Sequence, residues 1–481
     1  MKRILTCILL LICIQSFAQQ NISVVSSSAS APWLATETAS LSALNQKKPD
    51  AVIFTDRPLQ TIEGFGTCFN ELGWTSLSIL PASDRENILK EMFAPGIGAN
   101  FTICRMPIGA NDFSRQWYSY NESAGDYAMK KFSIANDRET LIPFIKAAQQ
   151  YNPKIKIWAS PWSPPSWMKY NGHYAARSVN KANFVSEEWG MDLREISNGL
   201  TPDKEGREGT DMFIQEDKYF TAYTRYFSRF IDAYRKQGIK ISMVMPQNEF
   251  NSAQVFPSCT WTAAGLTRFI RVLGPAMKKK GVDLFLGTIE RGNHLLADTV
   301  LNDPGCKPYV KGAGFQWAGK DAIASIHKNY PDLPLYQTEQ ECGNSKNDWK
   351  YCVYTWELMK HYLSNGANAY TYWNTSLKQG GISTWGWKQN SLVSVDTINK
   401  TYRYNYEYYL IKHFSHFVQA GARRLSTNGA FSDLLAFRNP DGSLVLVAYN
   451  SGAARKINVQ VGDQSLEATL PADSFNSFSW K

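Results

Sequence analysis

Histidine is scarce here: six residues scattered over 481, with no HExxH pair, so nothing in the sequence calls for a metal site. The eight cysteines fall into no CxxC pairing or other zinc-type spacing. Basic residues form no tract and no nucleic-acid motif, so the formal charge of +9 reads as solubility and not as a nucleic-acid partner. Beyond the N-terminus no apolar stretch is long enough to span a bilayer. Internal repeats and low-complexity segments are missing too, which excludes solenoids and disordered tails.

What is present begins with an export signature. Lys2-Arg3 precede an apolar run from Ile4 to Ile14, and Ser16-Phe17-Ala18 supply small residues before Gln19. This predicts a signal peptide over residues 1–18 and a secreted or periplasmic mature chain, with no stable membrane insertion after its removal. Ile12 before Cys13 is too bulky for a lipoprotein site. Six cysteines remain (Cys68, Cys104, Cys259, Cys306, Cys342, Cys352), and those near strand ends read as buried thiols. The aromatic load is heavy, with 15 Trp and 24 Tyr. Such residues serve the core first and a ligand only at strand ends or in loops.

Two stretches organise the rest. Ile241-Ser242-Met243-Val244-Met245 is a short apolar run of the kind a strand buried on both faces requires, and it ends abruptly in Pro246-Gln247-Asn248-Glu249. Leu335-Tyr336-Gln337-Thr338-Glu339 repeats that grammar. Further runs start near Ile62, Phe101, Ile155, Val282, Gly314 and Ala369, and helical patterns such as Tyr219–Lys236 and Ala263–Lys280 alternate with them. Eight strands alternating with helices predict an α/β fold, a (β/α)8 TIM barrel over 59–393. Strand-like segments flank it at 19–58 and 394–481, the latter with an Asp441-Gly442 hairpin turn and a helix expected at Tyr402–Phe417. Together they predict an additional β-sandwich domain. The polar insertion 186–211 either overhangs the barrel mouth or is a surface loop.

Two strand-end glutamates on one barrel match the paired carboxyls of a glycosidase, which needs one group to protonate the leaving oxygen and one to attack or to activate water. Glu341 competes with Glu339 as nucleophile, because positions 337, 339 and 341 share one strand face. A surface salt bridge is the bland alternative for any glutamate, and it is preferred for Glu63 and Glu290.

The combination Ala159-Ser160-Pro161-Trp162-Ser163-Pro164-Pro165-Ser166-Trp167-Met168-Lys169, Gln247-Asn248-Glu249 and Thr338-Glu339 resembles glycoside hydrolase family 30. Glu63-Gly64-Phe65-Gly66, Arg105-Met106-Pro107 through Asp112-Phe113-Ser114, and Lys412 to Phe417 extend the likeness over nearly the whole mature chain. The resemblance implies a barrel with a sandwich built from both chain ends and a retaining mechanism without a cofactor. It assigns the acid/base to Glu249 and the nucleophile to Glu339. It places Asp112, Trp162, Trp373 and Asn374 around the sugar; separately, Asn248, preceding the acid/base, is positioned to bond the sugar's 2-hydroxyl, a contact that strengthens in the transition state. Trp317, Trp385 and Trp387 extend an aromatic platform or pack the core. Phe250 stands where the family usually has Pro, and Gln316-Trp317-Ala318 replaces a His-Trp-Tyr-like strand end. The expected substrate is a carbohydrate, a β-glucoside or β-glucan. The alternatives are an exo-acting β-xylosidase or β-fucosidase and a catalytically silent glycan-binding barrel.

Overall fold

A computed structural model describes residues 22–36, 39–45, 47–179, 185–186, 190–194 and 196–481. The expected signal peptide and its cleavage site lie outside the described residues.

Eight parallel strands close into a barrel in sequence order. They are β1 (Gly64–Cys68), β2 (Ile103–Pro107), β3 (Lys156–Ser160), β4 (Ile241–Val244), β5 (Asp283–Ile289), β6 (Val310–Gln316), β7 (Leu335–Glu339) and β8 (Ala367–Asn374). Around them lie helices α1 (Glu71–Leu77), α2 (Ala82–Phe93), α3 (Leu141–Tyr151), α4 (Asp217–Lys236), α5 (Ala263–Lys280), α6 (Leu295–Leu301), α7 (Lys320–Asn329), α8 (Trp349–Ser364) and α9 (Tyr406–Ser415). Local chemistry sets several of their ends. In α5, Thr262 caps the first turn by accepting from the Gly265 amide, and Gly281 closes the helix in the left-handed region. In α4, Phe220, Tyr223, Phe227, Phe230 and Tyr234 fall on one face at helical spacing, and that face is buried. Inside the barrel, Ile103, Trp158, Met243, Met245, Phe285, Tyr336 and Ala369 form a separate apolar plug. It is a packed floor beneath the strand tips, as in barrels whose interiors are filled by side-chain layers. Among the described residues, no helix is long and apolar enough to cross a membrane.

The second unit is a ten-stranded β layer folded over its own core of Val24, Ile53, Leu425, Leu446, Val459, Leu466 and Phe478. Both chain ends build it. Ser23–Ser27 pairs with the last strand, Ser474–Trp480, and Ala51–Thr61 lies between Arg423–Gly429 and Arg455–Val461. The helix expected at Tyr402–Phe417 starts later. Thr401–Tyr404 is instead a strand antiparallel to Val393–Asp396, and α9 begins only after Asn405. The pattern change near residue 393 therefore precedes α9, which packs against β1, and the sandwich resumes at Arg423. All six described cysteines are buried free thiols.

Candidate active site

Pro246 has no N–H to donate, but the tip of β4 stays tied to its neighbours: the Gln247 carbonyl accepts from the Thr288 amide at 2.6 Å and the Asn248 amide donates to the carbonyl of Pro161 at 2.7 Å. Gln247 is pinned there: its Nε2 donates to the carbonyl of Trp162 at 2.7 Å, and its Oε1 accepts from Trp261 Nε1 at 3.3 Å. Glu249 then adopts φ +45°, a region few non-glycine residues occupy. Its amide is held by Thr288 Oγ1 at 2.8 Å. Trp317, at the tip of β6, sits at φ +48°. Backbone of this kind persists where surrounding contacts over-determine it, and such positions cluster at functional sites.

Arg105, fully buried at the centre of β2, ties three strand ends together, those of β3, β4 and β7. It donates to Glu339 Oε2 and to Asn248 Oδ1, both at 2.7 Å, to Ser160 Oγ at 3.0 Å and to the carbonyl of Thr338 at 3.2 Å. Its guanidinium lies 4.3 Å from the ring centroid of Trp162, 4.9 Å from Trp158 and 5.3 Å from Trp373, so aromatic faces supplement the carboxylate in offsetting the buried charge. Gln316 Nε2 is within hydrogen-bond distance of Glu249 Oε1 (3.0 Å), Glu339 Oε2 (3.1 Å) and Asn248 Oδ1 (3.2 Å). One nitrogen in reach of both groups holds those two oxygens within about 6 Å of each other.

The two carboxyls differ in their donors. Glu339 accepts from Arg105, Gln316 and, at 3.2 Å, Trp317 Nε1. Burial raises its pKa, Arg105 opposes that rise, and the charge of Glu249 adds to it. Glu249 is raised by burial, with Gln316 and Ser252 opposing, and no cation is bonded to it. The bonds from Arg105 and Trp317 favour the ionised form of Glu339, although burial still pushes it up to about 7. Asp112, also buried, is held well above the usual carboxylate range by burial and then by Glu339 and Glu249.

A cavity of about 250 Å³ opens over this group, and Asp112, Trp162, Glu249, Trp317, Glu339 and Trp387 are among its walls. Asn248 lies beside it, with Oδ1 also accepting from Thr288 Oγ1 at 3.1 Å. Trp373 and Asn374 do not reach the cavity. Trp373 stacks behind Trp162, ring centroids 5.0 Å apart. Asn374 is consumed by structure: its Oδ1 accepts from Asn70 Nδ2 at 2.9 Å and its Nδ2 donates to Gln389 Oε1 at 2.8 Å. Both lie at the end of β8, which is followed by a short sheet of Ser376–Lys378 with Val393–Asp396. Trp385 is buried away from the cavity, whereas Trp387 packs edge-on against Trp317 on its wall. Glu341 lines the cavity, but its oxygens are engaged by Lys320 Nζ and Tyr354 Oη, both at 2.8 Å. Glu290 is no surface salt bridge; it is buried on the cavity wall. The sequence reading missed Arg105 as the hub and Gln316 as the bridge; a lone arginine inside the apolar run Phe101–Pro107 was the available signal. Of the polar insertion, Gly190 and Asp192 hydrogen-bond to the backbone of Lys388 and Gly386 beside Trp387, placing that part at the mouth. Among the described residues, no cluster of His, Cys, Asp or Glu is arranged to hold a metal ion.

Comparison with known proteins adds three likenesses. The family model described as the glycosyl hydrolase family 30 TIM-barrel domain matches residues 62–184 and 201–418, and that of the family 30 beta sandwich domain matches 421–478. A protein named putative glucosylceramidase 1 from Caenorhabditis elegans is 31% identical over 429 residues, 83% of this chain and 76% of that one. Endo-1,6-beta-D-glucanase neg1 from Aspergillus fumigatus is 26% identical over 412 residues, 82% of this chain and 79% of its own. The solved structure of SrfJ from Salmonella typhimurium superposes with a TM-score of 0.81 at 23% identity, covering 96% of this chain and all of that one.

Proposed function

This chain belongs to glycosyl hydrolase family 30 and is a glycoside hydrolase, and from that premise we propose that it is an exported, retaining enzyme that cleaves β-glucosidic bonds with Glu339 as nucleophile and Glu249 as acid/base. The observation that carries the reading is the Gln316 amide shared by two carboxyls of which only one is bonded to a buried arginine. Retaining enzymes keep their carboxyls about 5–5.5 Å apart and need one ionised and one protonated.

In the first step an oxygen of Glu339 attacks the anomeric carbon while Glu249 gives its proton to the glycosidic oxygen. The carbon–oxygen bond to the leaving group breaks and a glycosyl ester forms. In the second step Glu249, now ionised, takes a proton from water, the water oxygen attacks the anomeric carbon, and Glu339 departs. Arg105 and Trp317 hold Glu339 as an anion at both ends of this cycle. The Oδ1 of Asn248 accepts from Arg105, Thr288 and Gln316, so its orientation is fixed and Nδ2 remains to donate to the sugar's 2-hydroxyl. Asp112, whose Oδ1 has no protein partner although buried, takes another hydroxyl, and Trp162 presents a ring edge to the sugar. Export rests on Lys2-Arg3, the apolar run and the Ala18 cleavage site; the N-terminal peptide of the secreted chain, read by mass spectrometry, tests it.

The test of the chemistry is Glu339→Ala and Glu341→Ala on an activated aryl β-glucoside with added azide. Azide rescue of Glu339→Ala with an α-glucosyl azide product is expected, with Glu341→Ala retaining turnover. Wild-type turnover in Glu339→Ala would overturn the assignment.

A further inference from the structure

The cavity has two differently built halves. Glu290 belongs to the proton donor's side, because its Oε1 accepts from the amide of Asn251, two residues after Glu249. In a double displacement that side faces the leaving group. Its walls are Ser252, Gln254, Glu290 and Arg291, with Phe256 and Trp387 as the apolar members.

Glu290 is 2% exposed at the end of β5. Its Oε1 accepts from the Asn251 amide at 3.0 Å, but its Oε2 has no protein partner. Neither has the buried Oδ1 of Asn251. Arg291 does not neutralise it: the guanidinium is 3.8 Å away and makes its bidentate bond to Glu208 instead, at 2.6 and 3.2 Å. A buried carboxyl left half-bonded on a cavity wall is costly unless a ligand supplies the partner. Burial above all pushes its pKa up to about 8, with Arg291 opposing. At neutral pH the group thus carries a proton, and can donate to or accept from a hydroxyl. Arg291 also lines a second cavity of about 460 Å³, walled by Glu208, Asn251, Thr262 and Asn293.

We propose that the leaving-group side is a subsite for a sugar, with Glu290 as its specificity-determining residue, so that the enzyme takes β-linked oligo- or polysaccharides in preference to glycolipids. This rests on Glu249 being the acid/base. A sugar brings several hydroxyls to this wall; the alkyl chains of a lipid would leave Glu290 Oε2 and Asn251 Oδ1 without partners. Sites built to bond a hydroxyl reject analogues that lack it strongly.

The experiment compares kcat/KM for β-glucosyl-glucose disaccharides of each linkage, octyl β-glucoside and 2,4-dinitrophenyl β-glucoside, in the wild type and in Glu290→Ala, Glu290→Gln and Arg291→Ala. The best disaccharide is expected to exceed octyl β-glucoside. In Glu290→Ala the ratio of disaccharide to dinitrophenyl glucoside should fall about 10- to 100-fold, the loss of a buried bond to a polar group. Glu290→Gln, which keeps an acceptor for Asn251, should fall between, and Arg291→Ala should lower the ratio in the same direction. A wild type that prefers octyl β-glucoside, or an unchanged ratio in Glu290→Ala, overturns the sugar subsite and leaves the retaining mechanism standing. A wild type inactive on all of these glucosides overturns both.

Discussion

Replacing Arg105 by Met keeps an unbranched stem between Trp158 and Trp162 but deletes the guanidinium. Glu339 Oε2 and Asn248 Oδ1 each lose a 2.7 Å charge-assisted bond, and the carbonyl of Thr338 loses its 3.2 Å donor. Bonds to charged groups contribute about 1.5–3 kcal/mol each, and removing one partner of a buried ion pair costs about 3–5 kcal/mol. The melting midpoint should therefore fall by several degrees. The kinetic signature is more specific. Glu339 already stands above its ordinary value because of burial, and Arg105 is the principal influence holding it down. Without Arg105 its pKa rises further. A nucleophile must be ionised in the free enzyme, so kcat/KM is lost below that pKa and the acid limb must move to higher pH. One unit corresponds to about 1.4 kcal/mol, so a shift of about 1–2 units is expected from the bonds lost. Arg105→Lys, which keeps the charge but not the fork, should shift less. The assay is a kcat/KM profile from pH 4 to 9 on an aryl β-glucoside. An acid limb within experimental error of wild type, in a variant that still folds, would refute the role given to Arg105.

Glu249→Gln should slow substrates with poor leaving groups by about 100- to 10,000-fold while sparing 2,4-dinitrophenyl β-glucoside, and azide should then yield the β-glucosyl azide. Asn374→Ala should lower thermal stability, by about 1–3 kcal/mol for the unpaired partners it leaves, with KM little changed, because its bonds run to Asn70 and Gln389. Glu407, which is not among the cavity's walls, is pushed up to about 7 by burial, with Oε2 unpartnered. The folded chain thus holds this proton more tightly than the unfolded one. The stability it contributes is present below the ordinary carboxylate range and is lost as pH rises through about 7. The melting midpoint should fall between pH 5 and 8, and Glu407→Gln should flatten that fall.

The barrel was legible because parallel strands are buried on both faces. Ile241–Val244 and Leu335–Glu339 therefore read as apolar runs broken by polar tips. Thr401–Tyr404 was not, since its tyrosines run straight into those of α9 and only the pairing with Val393–Asp396 separates strand from helix. The carboxyl pair could be read from strand-end position. The Arg105 hub could not, because its partners Ser160, Asn248 and Glu339 lie 55, 143 and 234 positions away. Glu290 read as a surface group for the same reason: its burial is a property of the neighbouring loops. Trp373 and Asn374 were read correctly as strand-tip residues, but the bonds of Asn374 to Asn70 and Gln389 could not be seen in the local sequence.

The most direct measurement is trapping with 2,4-dinitrophenyl 2-deoxy-2-fluoro-β-glucoside followed by peptide mapping. The fluorine slows both steps and the activated leaving group spares the first, so the glycosyl ester accumulates. The account predicts time-dependent inactivation and a single fluoroglucosyl adduct on the peptide containing Glu339. An adduct on Glu341, or none while aryl β-glucoside is still turned over, would contradict it.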